Sequence, residues 1–312
     1  MRLTTIVPAT DAPTQLARCV AAIHAADEPP EELIVVDNAP EAGPAAARNA
    51  GAERAAGDVL VFVDSDVLPH RDAFRRIRAA FDADPGLTAL FGSYDDAPEA
   101  PDAVSGFRNL LHHYVHQRSS GPATTFWAGL GAVRRDAFAQ VGGFDADRFP
   151  DSSIEDIELG MRLAASGRRM TLDPGLQGTH LKRWTLGTMI RTDVGRRGVP
   201  WVMLLARDGA APTVLNLGWR HRASAAASIG LAASLASRRP RSAAVALGLL
   251  LTLNASFYVL LLNRRGPAQA AVGICLHALH HVTAACAVPL GVVGHLRERR
   301  AETVSVAPRV DR

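Results

Sequence analysis

Cysteine, lysine and aromatic residues are scarce in this chain of 312 residues. Three cysteines (Cys19, Cys275 and Cys286) are too few for a disulfide scaffold, and no C-x-x-C pair is present to build a structural zinc site. Lys182 is the only lysine among 34 basic residues, which reads as a compositional bias toward arginine. Long charged blocks are missing too. Charged residues make up 21% and hydrophobic residues 48%, which excludes a disordered or highly charged tail protein. No basic-then-apolar leader precedes the strand-like LTTIVP at residues 3–8, so the N-terminal region is expected to stay in the cytoplasm.

Acidic residues nearly vanish after residue 222. Residues 1–222 hold 24 basic and 28 acidic side chains, whereas residues 223–312 hold 10 and 3. A basic half invites a nucleic-acid reading, but its arginines are clustered: Arg238, Arg239 and Arg241, then Arg264 and Arg265, then Arg297, Arg299 and Arg300. Between the clusters, residues 242–262 and 266–294 contain no Asp, Glu, Lys or Arg. About 20 apolar residues cross a hydrocarbon core as a helix. The pattern therefore predicts a transmembrane helical hairpin over 242–296 and no nucleic-acid partner. The arginine clusters favour both outer ends on the cytoplasmic side, which implies an inner (cytoplasmic) membrane protein. His277, His280 and His281 share one helix face and are expected to pack, neutral, against the partner helix. Residues 223–237, rich in Ala and Ser, read as interfacial or re-entrant. In the wider segment 184–241, Trp184, Trp201 and Trp219 interleave with arginines. That composition suits a helix lying in the interface, or an amphipathic helix packed on the N-terminal domain. The tail 297–312 is expected to be disordered.

The first 183 residues alternate strand and helix. LTTIVP (3–8), ELIVVD (32–37), DVLVFVD (58–64) and TALFG (88–92) read as strands. Residues 14–26 carry apolar residues near helical spacing, 44–56 read as a helix opened by Pro44 with a glycine inside it, and 71–83 read as an amphipathic helix. Apolar strands alternating with helices predict an α/β fold, a mostly parallel sheet covered on both faces. Ligands bind such sheets at the carboxyl ends of the strands, and two of these strands end in acid, at Asp37 and at Asp64-Ser65-Asp66. Two carboxylates two residues apart repel unless a cation lies near them, and Mg²⁺ or Mn²⁺ prefers oxygen ligands shared with substrate phosphates. Glu155 and Asp156 open a helix, where the dipole favours acids; one of them aimed into a cleft would serve as a general base. His112, His113 and His116 have no acid at ligand spacing beside them and are expected to be helix-surface or acceptor-side residues.

In this order, LTTIVPATDAPTQLARCVAAI, ELIVVDN, GPAAARNAG, GDVLVFVDSD, FWAGLGAVRRDAFAQVGGFD, IEDIELGMRLAASG and the later His180 resemble the family-2 inverting glycosyltransferases of the GT-A fold, of the membrane-anchored bacterial type. The resemblance spans about residues 3–183. It implies that Asp37 contacts the nucleotide base or ribose and that Arg48 lies near the nucleotide sugar. Asp64 and Asp66 correspond to the D-x-D motif, with Asp66 the direct metal ligand and His180 a further one. Gly129 and Gly131 correspond to the loop between donor and acceptor. Asp156 corresponds to the catalytic base, with Glu155 supporting it. A nucleotide-diphosphate sugar donor and a divalent metal, Mg²⁺ or Mn²⁺, follow as partners, and an acceptor hydroxyl, lipid-linked if the site faces the membrane. Ala9-Thr10-Asp11 stands where relatives often carry Thr-Tyr-Asn, which leaves the nucleotide open. HLKRW (residues 180–184) lacks the glutamine of the processive synthases' Q-x-x-R-W, so single transfer is expected.

The implied organisation is a GT-A domain over 1–183, an amphipathic segment over 184–241, a transmembrane hairpin over 242–296 and the tail. Two rivals remain. A nucleotidyltransferase would carry a Gly-rich basic loop after the first strand, and PATDAPTQL has neither feature. A non-catalytic scaffold binding lipid or a partner through its membrane hairpin would not need Asp64, Asp66, Glu155, Asp156 and His180 together.

Overall fold

The computed structural model describes residues 1–9, 12–37, 43–208 and 218–305, with side chains to residue 300. The chain divides into two units. The first holds residues 1–185 together with 256–273; the second holds most of 186–255 and the chain from residue 274 onward.

The first unit runs β1 (Leu3–Pro8), α1 (Pro13–His24), β2 (Glu32–Val36), α2 (Gly43–Arg54), β3 (Val59–Val63), β4 (Val67–Pro69), α3 (Ala73–Ala83), β5 (Leu87–Tyr94), α4 (Ala103–Arg118), β6 (Gly121–Ala123), β7 (Leu130–Arg134), α5 (Arg135–Gln140), α6 (Glu155–Ala165) and β8 (Arg169–His180). All eight strands join one sheet in the order β2-β1-β3-β7-β5-β8-β4, with β6 on β8. β1 and β3 are buried at every position, as continuous apolar strands covered on both faces must be.

The sheet is mixed. β2-β1-β3 are parallel, as the strand–helix alternation predicts, and β5 is parallel to β8. β7 lies antiparallel between β3 and β5, and β4 and β6 are antiparallel to β8. The antiparallel strands come from segments without a helix-crossover pattern, so local periodicity does not announce them. One apolar cluster packs Phe62, Phe91, Phe126, Phe138 and Phe144 against α2 and α6. The other packs Ile23, Phe74, Ile77 and Phe81 from α1 and α3 on the opposite face.

This topology gathers the ends that matter. β1, β2 and β3 share a carboxyl edge. Antiparallel β7 brings its amino end there, where Val63 pairs with Leu130 and the Asp64 N–H donates to the Gly129 carbonyl (3.2 Å). β5 and β8 end at the same edge, with Tyr94 paired to Gly178.

The start of the last helix also belongs to this unit. Phe257 is fully buried, with ring centroids 6.0 Å from Phe107 and 5.2 Å from Tyr114. Arg265 donates to the carbonyls of Ala100, Pro101 and Asp102 at the entry to α4. Trp184, read from sequence with the interfacial segment, is buried in this unit. The Arg108 guanidinium and the Lys182 ammonium lie 4.9 and 4.6 Å from its ring, and its backbone N–H donates to Ser105 Oγ.

The second unit is helical: α7 (Leu186–Arg191), a π-helical stretch Thr192–Gly198, α8 (Val199–Asp208), α9 (Trp219–Ala236), α10 (Pro240–Leu253) and most of α11 (Ala255–Ser305). The apolar run 242–262, read as one span, is two helices. Asn254 breaks it at φ −119° and ψ 18°, and its Nδ2 donates to the Leu250 carbonyl and to Ser224 Oγ, consuming a helix-end acceptor. Residues 297–305, expected in the tail, continue α11, and 306–312 lie outside the described residues. α11 bends at Gly266, whose φ of 75° and ψ of 172° are non-helical. Its portion Ala255–Arg300 is the one helix among the described residues long and apolar enough to cross a membrane. His277 and His281 are buried, but His280 Nδ1 meets buried Asp193 Oδ2 of the π-helical stretch at 2.8 Å, an acid where the sequence predicts neutral packing on the hairpin partner.

Candidate active site

At the common strand edge lies a buried ion-pair triad. Arg48, on α2, is 4% exposed. Its Nη2 donates to Asp64 Oδ1 at 2.6 Å and its Nη1 to Glu155 Oε1 at 2.9 Å. The guanidinium carbon sits 5.4 Å from the Phe144 ring centroid. Burial alone would weaken the arginine's charge, but the carboxylates of Asp64, Glu155 and Asp156 outweigh it and push its pKa up. Glu155 Oε2 accepts the Ser153 N–H at 2.8 Å, so both its oxygens are engaged and the side chain is buried. Glu155 thus ties α6 to α2 rather than facing the cleft.

Asp156, the next residue, points elsewhere. Its Oδ2 accepts the Ala128 N–H at 3.1 Å and its Oδ1 accepts the Ile157 N–H at 2.8 Å. It remains half-exposed. Two backbone donors therefore fix a carboxylate that solvent, or a substrate, can still reach. The loop before β7 supplies one of them, and its glycines have steric reasons. A Cβ on Gly129 would lie 2.4 Å from the Trp127 ring, and one on Gly131 would lie 2.3 Å from the Trp127 carbonyl.

The two acids of Asp64-Ser65-Asp66 diverge. Asp64 faces Arg48. Asp66 faces His180, with Oδ2 3.5 Å from Nε2. β4 and β8 make this pairing, with Val67 opposite His180 and the Leu181 N–H donating to the Asp66 carbonyl at 2.8 Å. Burial pushes the Asp66 carboxyl up, but the His180 imidazole and the Lys182 charge pull it further down, below the usual carboxylate range. Asp37 lies exposed just beyond β2 on the same edge, whereas Asn38, Thr10 and Asp11 fall outside the described residues.

Among the described residues no three His, Cys, Asp or Glu side chains converge on a metal position. Asp66 and His180 still present an oxygen and a nitrogen side by side. That donor pair suits Mg²⁺ or Mn²⁺ if substrate phosphate completes the shell. Asp64 is held by Arg48 and contributes through that pair.

Sequence reasoning missed the ring cluster behind His180. Tyr94 ends β5, and around it stand His112, His116 and Trp127. The histidines are not surface residues: His116 is buried, and His113 and His116 meet the carbonyls of Tyr94 and Gly92 through Nδ1, both at 2.8 Å. Their i, i+1, i+4 spacing was the only signal, and it could not reveal the strand they meet. Cys19 is inert: burial pushes its thiol up to about 12, and its Sγ lies 3.6 Å from the Asp64 carbonyl.

Residues 39–142 match the family described as "Glycosyl transferase family 2". A pre-mycofactocin glycosyltransferase of Mycobacterium tuberculosis (strain CDC 1551 / Oshkosh) is 29% identical over 187 residues, 56% of this chain, and its counterpart from strain ATCC 25618 / H37Rv gives the same figures. The chain spans 38% of the length of these relatives. Among solved structures, a mannosyltransferase from Pyrobaculum calidifontis, in complex with GDP-mannose and Mn²⁺, superposes with a TM-score of 0.54. It is 21% identical, over 92% of this chain and 86% of that one, a likeness of fold. The chain thus has a GT-A-like fold, and its residues 39–142 are similar to glycosyl transferase family 2.

Proposed function

We propose that this protein transfers one sugar from a nucleotide-diphosphate donor to an acceptor hydroxyl, with inversion, at a membrane. The observation that carries the reading is the division of labour among four acids at one strand edge. Asp64 and Glu155 share Arg48, Asp66 stands beside His180, and Asp156 is held by the Ala128 and Ile157 N–H groups while partly exposed.

Asp156 is the base in this reading. The Ala128 and Ile157 N–H groups hold its carboxylate in place, and it takes the acceptor proton as the hydroxyl oxygen attacks the anomeric carbon. A single displacement inverts that carbon, and a positioned base of this kind contributes about 10²–10⁴-fold. In this reading Asp37, exposed just beyond β2, meets the nucleoside, and Arg48, with Asp64, rigidifies the floor beneath the donor. Asp66 and His180 would hold Mg²⁺ or Mn²⁺, which when bound offsets the charge on the departing diphosphate.

Membrane association rests on α11 and on the apolar side chains the helical unit exposes. Val245, Leu235, Leu290 and Leu296 are each more than half exposed, and Trp219 is 70% exposed. Isolated exposed apolar residues are ordinary, but an accumulation over consecutive helices marks a lipid or partner surface. The arginine clusters flanking these helices support a cytoplasmic disposition of the GT-A domain, and a lipid-linked acceptor follows from the same surface.

Calorimetric titration of UDP, GDP, dTDP and CDP into the detergent-solubilised chain, with and without Mn²⁺, tests the donor site. One nucleotide should bind, and binding should fall with chelator and in Asp66→Ala. No binding by any of the four to folded protein sinks the nucleotide-sugar reading and favours a non-catalytic scaffold.

A further inference from the structure

The imidazole beside Asp66 is oriented by stacking. At 3.5 Å the His180–Asp66 contact is longer than the 2.7–3.2 Å at which an N–H donor is well directed. The ladder between β4 and β8 fixes the backbone of the buried His180, and the plane of its ring is left to the side chains packed on it. Tyr94 is stacked on that ring. Its ring lies 4.1 Å from the imidazole centroid with only 10° between the planes, the nearest-to-parallel of the aromatic contacts around this site.

Tyr94 is itself held. Its carbonyl meets His113 Nδ1 at 2.8 Å, and two residues earlier the Gly92 carbonyl meets His116 Nδ1 at the same distance. α4 therefore clamps the end of β5 through two histidines. The Tyr94 ring then meets His112 at 4.2 Å and stands edge-on to Trp127 at 4.9 Å and 87°. Trp127 directly precedes Ala128, whose N–H orients Asp156. One ring thus touches the imidazole next to Asp66 and the loop that holds the proposed base.

We propose that Tyr94 is a positioning residue: its ring sets the plane of His180 beside Asp66 and ties that plane to the Trp127–Gly129 loop. The inference rests on the donor-site reading above. Its chemistry is shape, so phenylalanine should replace tyrosine and a non-planar side chain should not.

The test is Mn²⁺ titrated into the full-length chain in detergent with the nucleoside diphosphate that the calorimetric panel selects, read by loss of the free-ion paramagnetic resonance signal against a protein-free blank, with thermal midpoints recorded in parallel. Tyr94→Phe should bind Mn²⁺ as the unaltered protein does. Tyr94→Leu should bind about three- to tenfold more weakly, the range one aromatic pair supplies. Tyr94→Met serves as a second non-planar variant should the leucine variant not fold. Mn²⁺ binding lost in Asp66→Ala but unchanged in Tyr94→Leu or Tyr94→Met overturns this inference alone. A Tyr94→Phe loss equal to that of Tyr94→Leu also overturns it, because the hydroxyl would then be the active group. Mn²⁺ binding unchanged in Asp66→Ala overturns the donor-site reading and this inference with it.

Discussion

Arg48 joins three elements through one side chain, because α2 carries it, Asp64 directly follows β3 and α6 begins with Glu155. Removing one partner of a buried ion pair leaves the other charged in a poor solvent, at a cost of about 3–5 kcal/mol. Arg48→Met should lose about that much in chemical denaturation, and Arg48→Met with Glu155→Gln should recover part of it. A loss under about 1 kcal/mol would mean the triad does not hold these elements together. Asp156→Asn is the opposite experiment. Asparagine keeps an oxygen for the Ala128 N–H, so the fold and nucleotide binding should persist while transfer falls about 10²–10⁴-fold; transfer within tenfold of normal argues for a different base. The acids were legible because they follow apolar strand runs or open an amphipathic helix. Arg48 was legible as a site residue only through resemblance, since its two partners lie 16 and 107 residues away.

At the scale of elements, α4 positions the histidines that clamp β5, and its amino end is capped by Asp102. The Asp102 carboxylate accepts the Ser105 N–H and hydroxyl, both at 2.9 Å. Asp102→Ala should cost about 0.5–2 kcal/mol. The pH dependence has a definite sign. Burial pushes this carboxyl up, but the two Ser105 hydrogen bonds and the Arg183 charge bring it below its ordinary value. Its contribution is therefore fully present above the unfolded value of about 3.9 and is lost as pH falls through the folded value. Stability curves of the unaltered and Asp102→Ala proteins should converge as pH falls below the unfolded value of about 3.9; a gap that stays constant through that fall argues against the cap. Helices α1 and α3 were readable from apolar spacing, and α2 from its opening at Pro44, to within a few residues. β6, β7 and β8 were not, because their meaning lies in partners far along the chain.

At the scale of the molecule, the GT-A unit borrows residues 256–273 from a helix that otherwise belongs to the helical unit. Phe257→Ala empties a fully buried ring from between Phe107 and Tyr114. A loss of about 3–5 kcal/mol is expected for such a truncation, read as a lowered thermal midpoint of the full chain; an unchanged midpoint shows the contact to be dispensable. The whole chain should also sediment with phospholipid vesicles at 1 M salt, where the Debye length is about 3 Å and attraction of arginine clusters to lipid headgroups is screened. Release from vesicles at that salt would mean that charge, rather than the apolar helices, holds the protein there.

Some features are properties of short stretches. The apolar runs, the strand-end acids at Asp37 and Asp64-Ser65-Asp66, and the acid pair opening α6 are set by side-chain period and local dipoles. The sequence by itself therefore determined the alternating start of the sheet, the acids at its edge and the apolar C-terminal helices. Only the tertiary structure decided which group each acid faces. Pairing between strands far apart in sequence turned Asp64 toward Arg48, Asp66 toward His180 and Tyr94 onto the His180 ring. Those choices depend on sheet order and register, which no local periodicity encodes.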